Sequence, residues 1–489
     1  MKHKDKLIPA AIVLCWVIYL LFQQGHANDE AEHLHIAWLI QVQGLWPIRD
    51  FFEHHQPATW HLLGSLFQIG VKEDWLLFFG RVYVVLAILL SALGLYLIAY
   101  RSREAKINSL MMPVYFFMLS SFFLKNLIVI RPETFATPFI IYCVLLWRAS
   151  FTSIDVNARL LSAVAGMLGM VSVMISPRFA ILAPGILFLY PSHISVSRSR
   201  LINHAVWGLL GSAVGFFLLL IAFNQSLQEL MFNIRFSALL QNTGVGWYAG
   251  LPVILFFGVI SLLLCFFYLR NSDYSSAFKG IHSVVLLFVF MVSIYFMGKY
   301  FYAQGVFPFV VWITLFMATT PLKGGSQQQD PLWIASTLIT LMAAILITYQ
   351  ISRFAIENVS LVNKTRKMMR NLVPEEDSVL LSYSTHPITR LDPGYYALPI
   401  LEGKNRLCET IKLYDVSFSL PECDYQKQIR RHLPALIAQR FIFKSDDDAD
   451  FMQFIARYYR FNPDLSVLIR KNINIPENLL DEPLPVAAD

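Results

Sequence analysis

LLFFGRVYVVLAILLSALGLYLIAY, residues 76–100, is long and apolar enough to cross a bilayer as a helix, which takes about 20 such residues. RSREAK follows at once and carries Arg101, Arg103 and Lys106. A basic flank of this kind marks the cytoplasmic side of a span. Working outward, comparable runs fall at 7–23, 107–124, 134–150, 157–176, 178–191, 203–223, 250–270, 281–298, 303–320 and 331–351, which makes eleven with 76–100. Several are short, and the pair flanking Pro177 also reads as one broken hairpin. The first run lacks a small-x-small cleavage site, so it reads as a retained helix and not as a signal peptide.

Composition agrees with these runs. The chain has 489 residues, 56% of them hydrophobic and 15% charged, where soluble domains average about 45–50% and about 25%. The excess lies between Leu7 and Tyr349, while 353–489 has the composition of soluble protein. The expected fold class is therefore mainly α: a polytopic transmembrane bundle over 1–352, then a small α/β soluble domain over 353–489. The net charge of +6 comes with no Lys/Arg block interleaved with aromatics, so no nucleic-acid partner is expected.

Placing the N-terminus inside puts most Lys and Arg of the loops in the cytoplasm: Lys2, Lys4 and Lys6; Arg148 and Arg159; Arg198 and Arg200; Arg270 and Lys279; Lys323. The outside segments are then 24–75, 125–133, 177, 224–249, 299–302 and the tail. They hold Asp29, Glu30, Glu32, His33, Arg131, Glu133, Arg178 and Lys299. Ionisable groups at membrane depth are costly and mark function, so acids and bases gathered on one face are the central feature. Arg235 is a weaker addition from 224–249.

The loop over 24–75 splits into two amphipathic pieces. One runs from about Asp29 to Gln43 and stops at Gly44; the other starts near Pro57 and carries Trp60, Leu63 and Phe67. Both are too short and polar to span, and should lie along the membrane interface. Asp29, Glu32 and His33 share one helical face. The D-x-x-E pattern also reads as a capping box, which leaves a carboxylate oxygen for chemistry. Half of the twelve histidines lie between His26 and His61. None has a chelating arrangement on a helix, so hydrogen-bonding histidines are expected and no metal site.

In the tail, 378–384 and 441–443 read as strands, 427–440 and 448–459 as helices. LDPGYY (391–396) is a turn, and the acidic run 446–448 a solvated helix start. Cys408 and Cys423 lie in the tail and Cys15, Cys143 and Cys265 in apolar runs. An outside tail permits a Cys408–Cys423 disulfide; two free thiols fit the spacing as well.

Four stretches carry a family resemblance: Asp29-Glu30 after the first helix, PIRDFFEHHQP from Pro47 to Pro57, Arg131-Pro132-Glu133, and KYFYAQGVFP from Lys299 to Pro308. In this order on one membrane face they resemble GT-C glycosyltransferases, in particular the bacterial branch of lipid-A aminoarabinose transferases and protein O-mannosyltransferase-like enzymes. Gln56 departs from the proline that relatives often carry there.

The resemblance implies an inverting transfer of a sugar from a polyprenyl-phosphate donor to a lipid, glycan or protein acceptor. The enzyme would sit in the bacterial inner membrane with its C-terminal domain periplasmic. The acid matching Asp29 would be the base, with Glu30 orienting it. His54, His55, Tyr302 and Gln304 fall in the matching motifs as substrate-binding residues, with Glu133. Arg131, Arg178 and Lys299 suit the leaving phosphate, because preorganised cations stabilise the charge it keeps. A divalent cation is compatible with this chemistry and not required by it. Two other classes fit eleven spans: a transporter or lipid-linked sugar flippase, and an O-antigen-type polymerase or ligase. No internal repeat of the transporter kind is evident.

Overall fold

The structure is a computed structural model and describes residues 28–51, 53, 55–102, 113–118, 120, 129–187, 189, 196–240, 283–285, 288–289, 307–320, 366–381, 386–392, 425–439, 449–463 and 466–473. The chain divides into two compact units: Met1–Leu20, Val82–Leu227 and Ser237–Gln350 in the first, Leu21–Arg81, Gln228–Phe236 and Ile351–Asp489 in the second.

Among the described residues, four helices are long and apolar enough to cross a membrane: Glu73–Ser102, Pro132–Thr152, Asp155–Ile175 and Arg198–Ala222. They coincide with the runs expected at 76–100, 134–150, 157–176 and 203–223. The run at 303–320 is represented by Phe307–Thr319, a helix of 13 residues. The runs at 7–23, 250–270 and 331–351 lie outside the described residues, as do most of 107–124 and 281–298. Helix Arg198–Ala222 leaves large apolar side chains uncovered, Leu209 at 71% and Ile221 at 76% exposure. Such a face belongs in hydrocarbon rather than in water.

The first unit packs three of these helices in register. Asp155–Ile175 lies antiparallel to Pro132–Thr152: the Ser172 hydroxyl donates to the Ala136 carbonyl, and Gly169 meets Cys143. It lies parallel to Arg198–Ala222, because residue numbers on the two rise together. Ser162 bonds His204 at 2.7 Å, Ser212 donates to the Gly166 carbonyl at 3.0 Å, and Gly215 meets Met167. Glycines set the spacing. A Cβ on Gly166 would fall 1.8 Å from the Gly208 carbonyl oxygen, and one on Gly211 the same distance from that of Ala163. Small residues let membrane helices approach to backbone contact. Gly166→Ala or Gly211→Ala is therefore expected to cost about 1–3 kcal/mol by overpacking. Thermal unfolding in detergent reads this; an unshifted midpoint for both variants contradicts it.

Two parallel neighbours require the chain between them to return. Pro177–Leu182 is a 3₁₀ helix and Ala183–Ile186 one further helical turn, with Pro184 inside it. At its start Arg178 pairs with Glu133; near its finish the Leu189 carbonyl accepts from Arg148. Glu133 and Arg148 stand 15 positions apart on one helix, about 22 Å at 1.5 Å per residue. The segment 178–189 thus runs back along that helix, as the run at 178–191 requires. It does so without a continuous α-helix, because prolines at 177 and 184 interrupt the ladder. Arg148 and Arg200 gather at the return end, on Ser102, Leu189 and Phe151.

In the second unit the two pieces expected in 24–75 are helices α1 (Asn28–Gln41) and α2 (Ala58–Gln68). α1 is buried on every face from Glu30 to Ile40, its polar side chains included, so it is not the half-exposed amphipathic helix expected there. Gly44, at φ +69°, turns the chain after α1 where a side chain would be strained. Pro57 caps α2. The two helices pack on each other with Leu34, Trp60, Leu63 and Leu66 buried; the Trp60 indole reaches His33 and Gly64 faces the Gln41 side chain.

The tail forms a four-stranded sheet. Its strands are β1 (Val379–Leu380), β2 (Leu436–Ala438), β3 (Tyr459–Asn462) and β4 (Val467–Arg470), in the order β1-β2-β4-β3. β1 and β2 are parallel; the other pairs are antiparallel. Alternate residues face opposite sides. Val379, Leu436, Val467 and Ile469 pack with Met368, Met369 and Leu372; Leu380, Ile437 and Leu468 pack with Ile429, Phe451 and Ile455.

The helix expected over 427–440 needs correction. It is Tyr425–His432 only, and 436–438 is β2. Pro434 accounts for the break: it lacks a donor, and Leu433 before it sits at φ 45°. The helix expected over 448–459 is present as Ala449–Tyr458. The strand expected at 441–443 falls outside the described residues, as do Cys15, Cys265, Cys408 and Cys423.

Candidate functional site

Helix α1 carries the acidic pair. The backbone of Asp29 lies in its first turn, next to Glu30. Glu30 is fully buried and takes a two-pronged contact from Arg81: Nε to Oε1 at 2.9 Å and Nη2 to Oε2 at 2.6 Å. Arg81 is 3% exposed. This planar fork-on-fork arrangement is the strong form of a carboxylate–guanidinium pair. It joins α1 to helix Glu73–Ser102.

Two residues on, Glu32 stands with Glu53 and His55, and the three offer ligand atoms within 4.8 Å of one another. Glu53 Oε1 accepts from the His55 backbone N–H at 3.0 Å and lies 2.7 Å from His55 Nδ1. The Trp60 indole donates to His33 Nδ1 at 3.1 Å, so the other ring nitrogen of His33 is the donor. His33, His55 and Trp60 stand edge to face or tilted, with centroids 5.5–6.4 Å apart. The Asn233 amide donates to the His55 carbonyl, and Arg49 grips Glu229. Two carboxylates and an imidazole in this order suit a divalent cation or proton transfer. His61, further along α2, is pulled below the usual histidine range by burial.

His35 points to the tail instead. Its Nδ1 lies 2.8 Å from the Ile388 carbonyl and its Nε2 2.7 Å from Asp392 Oδ2. Glu73 accepts from the Ile388 N–H at 2.8 Å and from the Thr389 hydroxyl, and Arg370 lies 3.5 Å away. Burial lowers His35, but the charge and hydrogen bond of Asp392, helped by the Ile388 carbonyl and by Glu73, raise it above 6.5 overall. Burial would raise Asp392, yet His35 and His386 hold it at about 2. Arg366 is brought to about 10 by burial, with Glu73 and Glu30 opposing.

In the first unit, Arg131 stands before Pro132 and Glu133 at the head of helix Pro132–Thr152. Glu133, nearly buried, takes the Arg178 Nη1 at 2.6 Å, and Arg178 remains 41% exposed. The structure thus brings Arg131, Glu133 and Arg178 to one helix end. His55 lies beside Glu53 and Glu32. His54, Lys299, Tyr302 and Gln304 lie outside the described residues, and the side chains of Asp29 and Arg235 are likewise not described. Sequence reasoning passed over Arg81, Glu53, Glu73, Arg366 and Asp392.

No family model and no curated protein matches the chain. Among solved structures, the fold resembles the crystal structure of ArnT from Cupriavidus metallidurans bound to undecaprenyl phosphate. The likeness has a TM-score of 0.58 at 11% identity and covers 96% of this chain and 99% of that one. A likeness at this identity establishes the fold.

Proposed function

We propose that the protein is a membrane glycosyltransferase that moves a sugar from a polyprenyl-phosphate carrier to an acceptor hydroxyl or amine at the extracytoplasmic face. The supporting observation is the fold likeness, over nearly the whole chain, to a structure that holds undecaprenyl phosphate. The acidic pair at the head of α1 adds to it.

The roles follow from charge. Glu30 has both oxygens engaged by Arg81, so it is committed to that ion pair. Asp29 is assigned the base that takes the acceptor proton as the acceptor attacks the anomeric carbon. Glu30 becomes a positioning residue that fixes the first turn of α1. The sugar–phosphate bond breaks on the opposite side, and the lipid phosphate leaves with its electron pair. Arg131, Arg178 and Lys299 are assigned to that phosphate, with Arg178 poised by Glu133. His54, His55, Tyr302 and Gln304 are assigned to the sugar and acceptor.

The test supplies purified protein with radiolabelled polyprenyl-phosphate sugar and a mixture of lipid, glycan and peptide acceptors. Sugar transfer matched mole for mole by free lipid phosphate is the expected result. Movement of intact donor across proteoliposomes, with no lipid phosphate released, would sink the proposal and identify a flippase.

A further inference from the structure

The histidine of α1 that faces the tail belongs to a second cluster, separate from Glu32, Glu53 and His55. His386 faces the same carboxylate as His35, but without a hydrogen bond from its Nε2. Its Nδ1 lies 2.6 Å from the Pro387 carbonyl and its Nε2 3.3 Å from Asp392 Oδ1. The two rings are 4.6 Å apart between centroids. Both histidines are nearly buried, at 2% and 3% side-chain exposure, with Asp392 at 12%.

A carbonyl oxygen only accepts, so each Nδ1 carries the hydrogen and donates it. In a neutral ring the other nitrogen is then a lone pair. Here both Nε2 atoms face the two oxygens of one carboxylate. Lone pairs set against a buried carboxylate repel unless a cation lies between them. One proton, on His35, fits its 2.7 Å contact with Oδ2 but leaves the buried His386 Nε2 with no hydrogen-bond partner. A second would place two imidazolium rings in contact, in a buried site, against a single balancing charge. Glu73 does not redress this, since Arg370 already lies beside it at 3.5 Å. One divalent ion meets all three groups at once. The ligand atoms lie within 4.8 Å of one another. The Nδ1–H to backbone-carbonyl bonds on both rings are the outer contacts that orient metal-bound histidines.

We propose that His35, His386 and Asp392 bind a divalent transition-metal ion of the zinc class through the two Nε2 atoms and the Asp392 carboxylate. Two imidazoles and one carboxylate suit Zn²⁺ or Co²⁺ and disfavour Mg²⁺ and Ca²⁺, which take oxygen ligands. The ion fastens the segment 386–392, at one end of the sheet domain, to α1. Residues 351 positions apart in sequence are then held by one centre, and the metal stabilises the folded chain by linkage.

The full chain, purified in detergent, is stripped with EDTA and titrated with Co²⁺ and then with Zn²⁺. Expected are one molar equivalent bound at this site, visible d–d absorption with Co²⁺, and a rise in the unfolding midpoint on loading. His386→Ala and Asp392→Asn lose that equivalent and the rise, while His55→Ala keeps both. Loss in His55→Ala with retention in His386→Ala would assign the ion to the Glu32 cluster and overturn the proposal. So would an absence of binding in the wild type, which leaves protonated histidines as the cation. His386→Cys guards against misfolding. It keeps a ligand and should give a thiolate-to-cobalt charge-transfer band; a folded His386→Cys protein without that band also overturns the assignment.

Discussion

Arg81→Met is expected to lower stability by about 3–5 kcal/mol, because it strands a buried carboxylate without its partner. Glu30 is fully buried and Arg81 nearly so, and the two are joined through both carboxylate oxygens. Removing the guanidinium leaves Glu30 to take up a proton or pull water inward, and either costs free energy. Removing both charges is a different case. Glu30→Leu with Arg81→Met fills similar volume with apolar atoms, and buried pairs replaced in this way are often neutral or better. The double variant should recover most of the loss, measured as unfolding midpoints in detergent. A single variant as stable as the wild type would mean that water reaches the pair. A double variant no better than Arg81→Met would mean that the side chains matter for packing and not for charge.

Asp29→Asn is expected to reduce sugar transfer by about 10²–10⁴-fold, the usual contribution of a positioned base, with the unfolding midpoint unchanged. Glu30→Gln should act differently. It weakens the contact with Arg81, so activity and stability should fall together, by less than in Arg81→Met. The contrast separates a residue that takes a proton from one that holds a helix in place. If Asp29→Asn turns over at the wild-type rate, the base lies elsewhere; if it loses stability instead, Asp29 serves the helix end.

Much of this architecture is legible in the chain before any coordinates. Local chemistry is the reason: Gly44 and Pro57 punctuate α1 and α2, and apolar runs of bilayer length need no partner to be recognised. The tail is harder. The stretch after Lys427 has helical periodicity, and only Pro434 divides it into a helix and a strand. β3 follows helix Ala449–Tyr458 without a break, with Arg460 and Phe461 exposed, so no alternation announces it. Arg81 was available to the same reasoning, being the one charge within 76–100; a lone guanidinium in an apolar run implies a buried acid. Which acid it meets is not local information. Nor is the pairing of His35 with His386 and Asp392, which depends on how a distant segment folds back.

The glycine seam between helices Asp155–Ile175 and Arg198–Ala222 also constrains traffic. Where two backbones touch, no width remains for an isoprenoid tail, and parting them would give up the close backbone packing that the glycines allow. A lipid diffusing in the leaflet therefore finds a sealed wall along that side. Should the protein take a lipid carrier as proposed, its lateral entry must lie between other helices of the bundle.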